Sequence, residues 1–110
     1  MLFIIKTINA YPIERVLLEG HCDNIGSKEY NYILSDNRAS EVKKLLIQNG
    51  IPKESIKKCI GFGKDKPITL NETEAERQLN RRVVMTFYLK PEKPNIMKDT
   101  IRKIVAEKKI

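Results

Sequence analysis

The chain reads as a small α/β sandwich, a mixed sheet of three or four strands with helices packed mainly on one face. Three observations predict it. Ile13 to Glu19 is rich in Val, Ile and Leu, a near-continuous apolarity that suits a central strand. That run enters a turn with two glycines, Gly20 to Ser27, and a long helical pattern leaves it from Lys28 to Asn49. Further on, Val83, Met85, Phe87 and Leu89 alternate with Val84, Thr86 and Tyr88, the period-2 signature of a strand.

In chain order, Leu2 to Asn9 reads as the end of a helix, with Leu2, Ile5 and Ile8 recurring every third residue. Tyr11-Pro12 stops it, because the residue before proline is pushed out of the helical region. The helix from Lys28 carries a candidate interruption at Ser35; Gly50 terminates it and Pro52 prevents a restart. Ser55 to Ile60 is a short, Lys-rich strand with the character of a sheet edge. Gly61-Phe62-Gly63 turns the chain, a loop runs through Pro67 to Asn71, and Thr73 to Leu79 is a brief polar helix. Pro91 and Pro94 mark a linker. Met97, Ile101, Ile104, Val105 and Lys108 then trace one face of a final basic helix, Asn95 to Lys109. The expected division is a domain over 1–89 and a linker with this basic helix over 90–110.

A length of 110 residues suits one domain with one modest core. Charged residues at 32% and hydrophobics at 41% fit a globular protein rather than a disordered or membrane chain. The formal charge of +7 is mostly a property of the tail: residues 90–110 hold seven Lys or Arg against three acids, leaving +3 for the first 89. A nucleic-acid role for the body therefore starts weak, and Tyr30, Tyr32 and Phe62 build no stacking platform. No apolar run is long enough to span a bilayer. Met1 to Lys6 has four consecutive apolar residues after the Met, too short for a secretory signal, so a destination outside the cytoplasm requires a start upstream of Met1. Cys22 and Cys59 lie in separate expected strands and read as half-buried free thiols. With His21 as the sole histidine, they make no zinc set, and no metal or other cofactor is expected. His21 itself reads as a structural hydrogen-bonding residue beside the turn, since no nucleophile or paired base accompanies it.

The candidate chemistry follows from helix geometry. Asn31, Leu34 and Arg38 are three and four apart and form one stripe, which Val42 and Leu45 continue. A stripe that begins polar and ends apolar suits a helix whose first turns stand at an exposed mouth. Asp23 lies just before that helix. Its carboxylate can accept from a ligand ammonium, while Arg38 offers a planar fork to a ligand carboxylate. The same spacing also suits a plain surface ion pair between Asp23 and Arg38, or Asp23 as a helix cap.

Gly20-His21-Cys22-Asp23-Asn24-Ile25-Gly26, with Tyr30-Asn31, Leu34-Ser35, Arg38-Ala39 and Val42, resembles the signature of the OmpA-like C-terminal domain. Gly50-Ile51, Gly61-Phe62-Gly63, Pro67-Ile68, Asn71 and Asn80-Arg81-Arg82-Val83 continue it in register, so the resemblance covers roughly residues 12 to 89. That family binds peptidoglycan non-covalently in outer membrane proteins, peptidoglycan-associated lipoproteins and flagellar stator proteins. The resemblance implies a βαβαβ-type fold, no catalysis, a place in the periplasm at the outer-membrane side of the envelope, and peptidoglycan as partner, with other envelope proteins as further candidates. It implies that Asp23 and Arg38 hold the diamino acid of the stem peptide, diaminopimelate in most such organisms. Asn31 and Leu34 would line the pocket, Ile25 would touch the ligand through its backbone, and Arg81 would approach the site while Arg82 faces away.

Some positions depart from the family pattern. Cys22 stands where threonine is usual, and Glu76-Arg77 where Gly-Arg is frequent. The family's domain opens with a strand and a full helix, whereas this sequence starts partway through that helix. The sheet would then be one strand short at an apolar edge unless the C-terminal helix covers the gap. The rival reading is a protein-interaction module acting through that basic helix. A weaker one is nucleic-acid binding by the tail, which predicts a steep salt dependence and no role for Asp23.

Overall fold

A computed structural model describes residues 5–6, 9–91 and 102–110. Four strands, β1 (Ile13–His21), β2 (Ile56–Gly61), β3 (Arg82–Leu89) and β4 (Lys103–Lys109), form one sheet in the order β2-β1-β3-β4. β1 runs parallel to β2 and antiparallel to β3, and β3 runs antiparallel to β4. Helix α1 (Lys28–Gln48) lies between β1 and β2, a 3-10 turn (Lys53–Ser55) leads into β2, and α2 (Glu74–Asn80) comes just before β3. The sandwich expected from the sequence is thus present, with β1 internal and the Lys-rich β2 at an edge.

Register places Val16, Leu18 and Gly20 opposite Phe87, Met85 and Val83, all on the sheet face that α1 covers. Those apolar side chains, with Val42 and Leu46 of α1, Ile51, Ile56 and Ile5, make the core. Burying each large aliphatic side chain stabilises the fold by roughly 1.5–3 kcal/mol. Ile5 and Lys6 are helical, as is Asn9; the remainder of the helix expected over Leu2 to Asn9 lies outside the described residues.

Both ends of α1 are locally encoded. Ser27 caps the start, its Oγ accepting from the Tyr30 N–H at 3.1 Å. At the other end Gly50, with φ +102°, donates to the Ile47 carbonyl while Ile51 donates to that of Leu46, a Schellman closure with both Ile51 and Leu46 in the core. α1 continues through Ser35 without a break, because Ser35 is buried and its hydroxyl donates to the Tyr32 carbonyl within the helix.

The basic helix expected from Asn95 to Lys109 is corrected by the fold. Residues 92–101 lie outside the described residues, but Lys103–Lys109 is a strand paired along the outer edge of β3. Ile104, Ala106 and Lys108 lie opposite Phe87, Met85 and Val83, while Val105 and Glu107 take the other face. The same short run of apolar residues satisfies both periods. The unpaired edge of β3 decides between them by supplying a hydrogen-bond ladder. The edge expected to stand exposed is therefore covered, by a strand and not by a helix.

Candidate functional site

The end of β1, the turn after it and the first turns of α1 are drawn together by two glycines. Gly20 and Gly61 are neighbours across the β1–β2 pair, and α1 crosses directly over both. A Cβ on Gly20 would lie 2.1 Å from the Ser35 carbonyl oxygen, and one on Gly61 2.3 Å from the Asp36 nitrogen. Only glycine permits that approach. The contact is sewn with hydrogen bonds: Gly63 N–H donates to Ser35 Oγ at 2.8 Å, Phe62 N–H to the Gly20 carbonyl at 2.9 Å, and Cys22 N–H to the Gly63 carbonyl at 2.8 Å.

Asp23 emerges from this junction as a buried carboxylate. Its Oδ1 accepts from the Ile25 N–H at 3.0 Å, which folds the turn back on itself. Its Oδ2 accepts from Arg81 Nη1 at 2.8 Å. Arg81 reaches there from the junction of α2 and β3, and its Nη2 donates to Glu74 Oε1 at 2.6 Å. Glu74 and then Asp23, in that order of strength, raise the Arg81 pKa above its ordinary value, so the guanidinium is permanently charged. Hydrogen bonds from Arg81 and Arg77 hold the Glu74 carboxyl below its usual range.

Asp23 thus pairs with Arg81, not with Arg38, and the cap of α1 is Ser27. Neither plain alternative for Asp23 describes the geometry. Arg38 reaches Cys22 instead, its Nη1 lying 3.8 Å from Cys22 Sγ. The Cys22 thiol donates to the Asn31 carbonyl at 3.4 Å, and burial pushes its pKa up against the opposing pull of Arg38, so it stays protonated. Cys22 and Cys59 are both free thiols.

Asn31 is buried and sends its Nδ2 to the Ile25 carbonyl at 3.0 Å, so side chains of Asp23 and Asn31 grip both backbone groups of Ile25. Ile25 itself is 61% exposed. Leu34 and Arg38 are half-buried. The inward stripe of α1 runs Asn31, Ser35, Ala39, Val42, Leu46, one step round from the expected Leu34, Arg38 and Leu45, which flank it. The rotation follows from Gly20 and Gly61, which admit the small Ser35 where a leucine would not fit.

Spacing did not expose four further contributors. Asn80, fully buried, accepts from Ile68 N–H at 2.7 Å and donates to Thr69 Oγ1 at 2.8 Å and Asn71 Oδ1 at 2.7 Å, fixing the loop before α2. Lys64 donates to the Gly26 carbonyl at 3.1 Å, and the Tyr32 hydroxyl donates to Asp65 Oδ2, so the loop after β2 braces the turn. Glu74, which holds Arg81 seven residues on, is another. The Lys64 and Tyr32 contacts join residues 38 and 33 apart in sequence, pairings with no local signal.

His21, expected as a structural residue beside the turn, packs against an aromatic ring. It is buried and stacked on Phe62 with centroids 5.6 Å apart, and its Nδ1 has no hydrogen-bond partner among the described residues. Burial, then the charges of Arg82 and Lys66, lower its pKa to about 4. Arg82, its register partner, is buried on that same face and donates to the Asn80 carbonyl at 3.3 Å. Among the described residues, no group of three or more His, Cys, Asp or Glu could hold a metal ion, and no helix is long and apolar enough to cross a membrane.

Comparison with known proteins follows the same geometry. The chain is 42% identical over 73 residues to outer membrane porin F of Pseudomonas fluorescens, covering 66% of this chain and 22% of that protein. It is 36% identical over 80 residues to the peptidoglycan-associated lipoprotein of Legionella pneumophila, covering 73% and 45% respectively. The chain therefore spans less than half the length of these relatives. Its fold is similar to the crystal structure of the C-terminal domain of Helicobacter pylori MotB, with a TM-score of 0.69 at 30% identity over 77% of this chain and 66% of that one. The OmpA family model matches residues 2–81, most of the sequence including the whole junction around Asp23, and the chain belongs to the OmpA family.

Proposed function

We propose that this domain binds peptidoglycan stem peptide reversibly, gripping its diamino acid, and so tethers a larger envelope protein to the cell wall on the periplasmic side. The observation that carries the reading is the pairing of opposite charges at one junction. The buried Asp23 carboxylate and the Arg38 guanidinium both lie close enough to Cys22 to act on its thiol, Arg38 Nη1 at 3.8 Å from Sγ. A guest that satisfies both must carry an ammonium and a carboxylate, and diaminopimelate presents both on its side chain. Asp23 takes the ammonium by charge-assisted hydrogen bonding and Arg38 takes the carboxylate through its planar fork. The Ile25 turn, its N–H taken by Asp23, offers the second lone pair of its carbonyl to an N–H of the adjoining peptide, and Leu34 lines the wall. Arg81 balances the charge of Asp23 in the free protein.

No bond needs to break for this role. Anchoring is binding, and many weak attachments along one polymer hold through effective concentration. The family membership supports the reading, as does the name of the Legionella relative, a peptidoglycan-associated lipoprotein. The rival module based on a basic C-terminal helix loses its footing, because Lys103–Lys109 is committed to the sheet.

Calorimetric titration with a soluble diaminopimelate stem peptide tests the proposal. Asp23→Ala and Arg38→Ala should each weaken binding by at least about tenfold, the scale of one lost charged hydrogen bond, with the circular dichroism spectrum unchanged. Equal binding by the wild type and both variants, or no binding by the folded wild type, sinks it.

A further inference from the structure

We infer that Glu74, standing beyond Arg81 at the start of α2, is a positioning residue that keeps Asp23 available to an ammonium group; the inference rests on the stem-peptide reading of the site. A lone arginine beside a carboxylate settles into a two-pronged pair, both nitrogens on both oxygens. Arg81 does not. Its Nη1 takes one oxygen of Asp23 at 2.8 Å, and its Nη2 is held at 2.6 Å by Glu74 Oε1. Asp23 Oδ1 is left to the Ile25 N–H. With one hydrogen bond on each oxygen among the described residues, the carboxylate retains acceptor sites for a guest ammonium.

Glu74 is itself secured. Its Oε2 accepts from Arg77 Nε at 3.2 Å, and Arg77 Nη1 donates onward to the Asn71 carbonyl at 3.3 Å. Four alternating charges, Asp23, Arg81, Glu74 and Arg77, thus run from the buried end of the site to the surface. Removing Glu74 frees the second nitrogen of Arg81 to close on Asp23, where it competes with any incoming ammonium. The helix bearing Glu74 does not need it, since the capping box of α2 is made by Thr73 and Glu76. The Glu74 side chain is 63% exposed, so the effect is a tuning one.

The test compares two stem peptides, one with the diaminopimelate side chain and one in which that side chain keeps its carboxylate but lacks the ammonium. Glu74→Ala and Glu74→Gln should weaken the first by about fivefold, the ceiling for an exposed charge pair, and leave the second unchanged. No weakening, tighter binding, or equal weakening of both peptides overturns the inference. Arginine side-chain NMR of the free protein adds a readout independent of ligand. Separate, slowly exchanging Nη signals are expected for Arg81 in the wild type, altered in Glu74→Gln. Unchanged Arg81 signals overturn the positioning role even if no peptide binds, whereas a wild type that fails to bind overturns the stem-peptide reading instead.

Discussion

The two halves of α1 are held against the sheet by different physics. The rear half buries Val42 and Leu46 among Val16, Leu18 and Phe87, an apolar contact whose strength follows the area removed from water. The front half buries Asn31, Ser35 and Ala39, which offer little apolar area. It is fixed by direct backbone approach at Gly20 and Gly61 and by directional hydrogen bonds to Ile25 and Gly63. Apolar area resists separation but tolerates rotation and sliding. Hydrogen bonds and backbone contact fix distance and angle. The junction around Asp23 lies at the end where position is fixed, and the apolar stabilisation lies at the end where area is buried.

The sharpest way to break the contrast is Gly20→Ala. Its Cβ has nowhere to go against the Ser35 carbonyl, so α1 must lift from the sheet, at a cost of about 4 kcal/mol. Urea unfolding should show the loss, and peptide binding should fall with it; a variant of wild-type stability would refute the close-approach account. Leu46→Ala should cost about 3 kcal/mol as a buried cavity. Its folded fraction should nevertheless bind peptide with unchanged affinity, because the front half is untouched. A change in affinity would mean the two halves are coupled.

Acid provides a milder probe of the front end. His21, at the end of β1, has a folded pKa of about 4 against 6.5 unfolded, so between those values the unfolded chain binds more protons. Stability is complete above about pH 6.5, declines by up to about 3 kcal/mol as pH falls to about 4, and this contribution is flat below. His21→Gln should flatten that segment of the curve, measured as urea midpoint against pH. Asn31→Ala is the smallest perturbation. It strands the Ile25 carbonyl and should cost about 1–2 kcal/mol. Its larger effect should be on affinity, since the turn loses one of its two side-chain grips; the opposite ranking would place Asn31 with the core instead.

The local elements were legible because their signals are local. The alternation of β3, the Gly50 terminator of α1 and the near-continuous apolar β1 all identify themselves within a few residues. The junction around Asp23 was legible through its motif, which named Asp23, Ile25, Asn31, Leu34, Arg38 and Arg81 without stating which charges pair. β4 was not legible. Ile104 and Val105 fit a helical face as readily as an alternating strand, and what decides is the open edge of β3, about twenty residues away in the chain.

By itself, then, the sequence determined the order of the main elements inside 13–89, the Gly50 stop of α1, and the turn that carries Asp23, because each depends on backbone preferences and periodicities confined to a few neighbouring residues. Only the tertiary structure decided that Arg81 takes Asp23, that Glu74 restrains Arg81, that α1 is rotated to seat Ser35 over Gly20 and Gly61, and that the C-terminal segment is a strand. These are choices among partners far apart in sequence. They are settled by which groups three-dimensional packing brings within hydrogen-bonding distance, and a polar residue carries no mark of its partner along the chain.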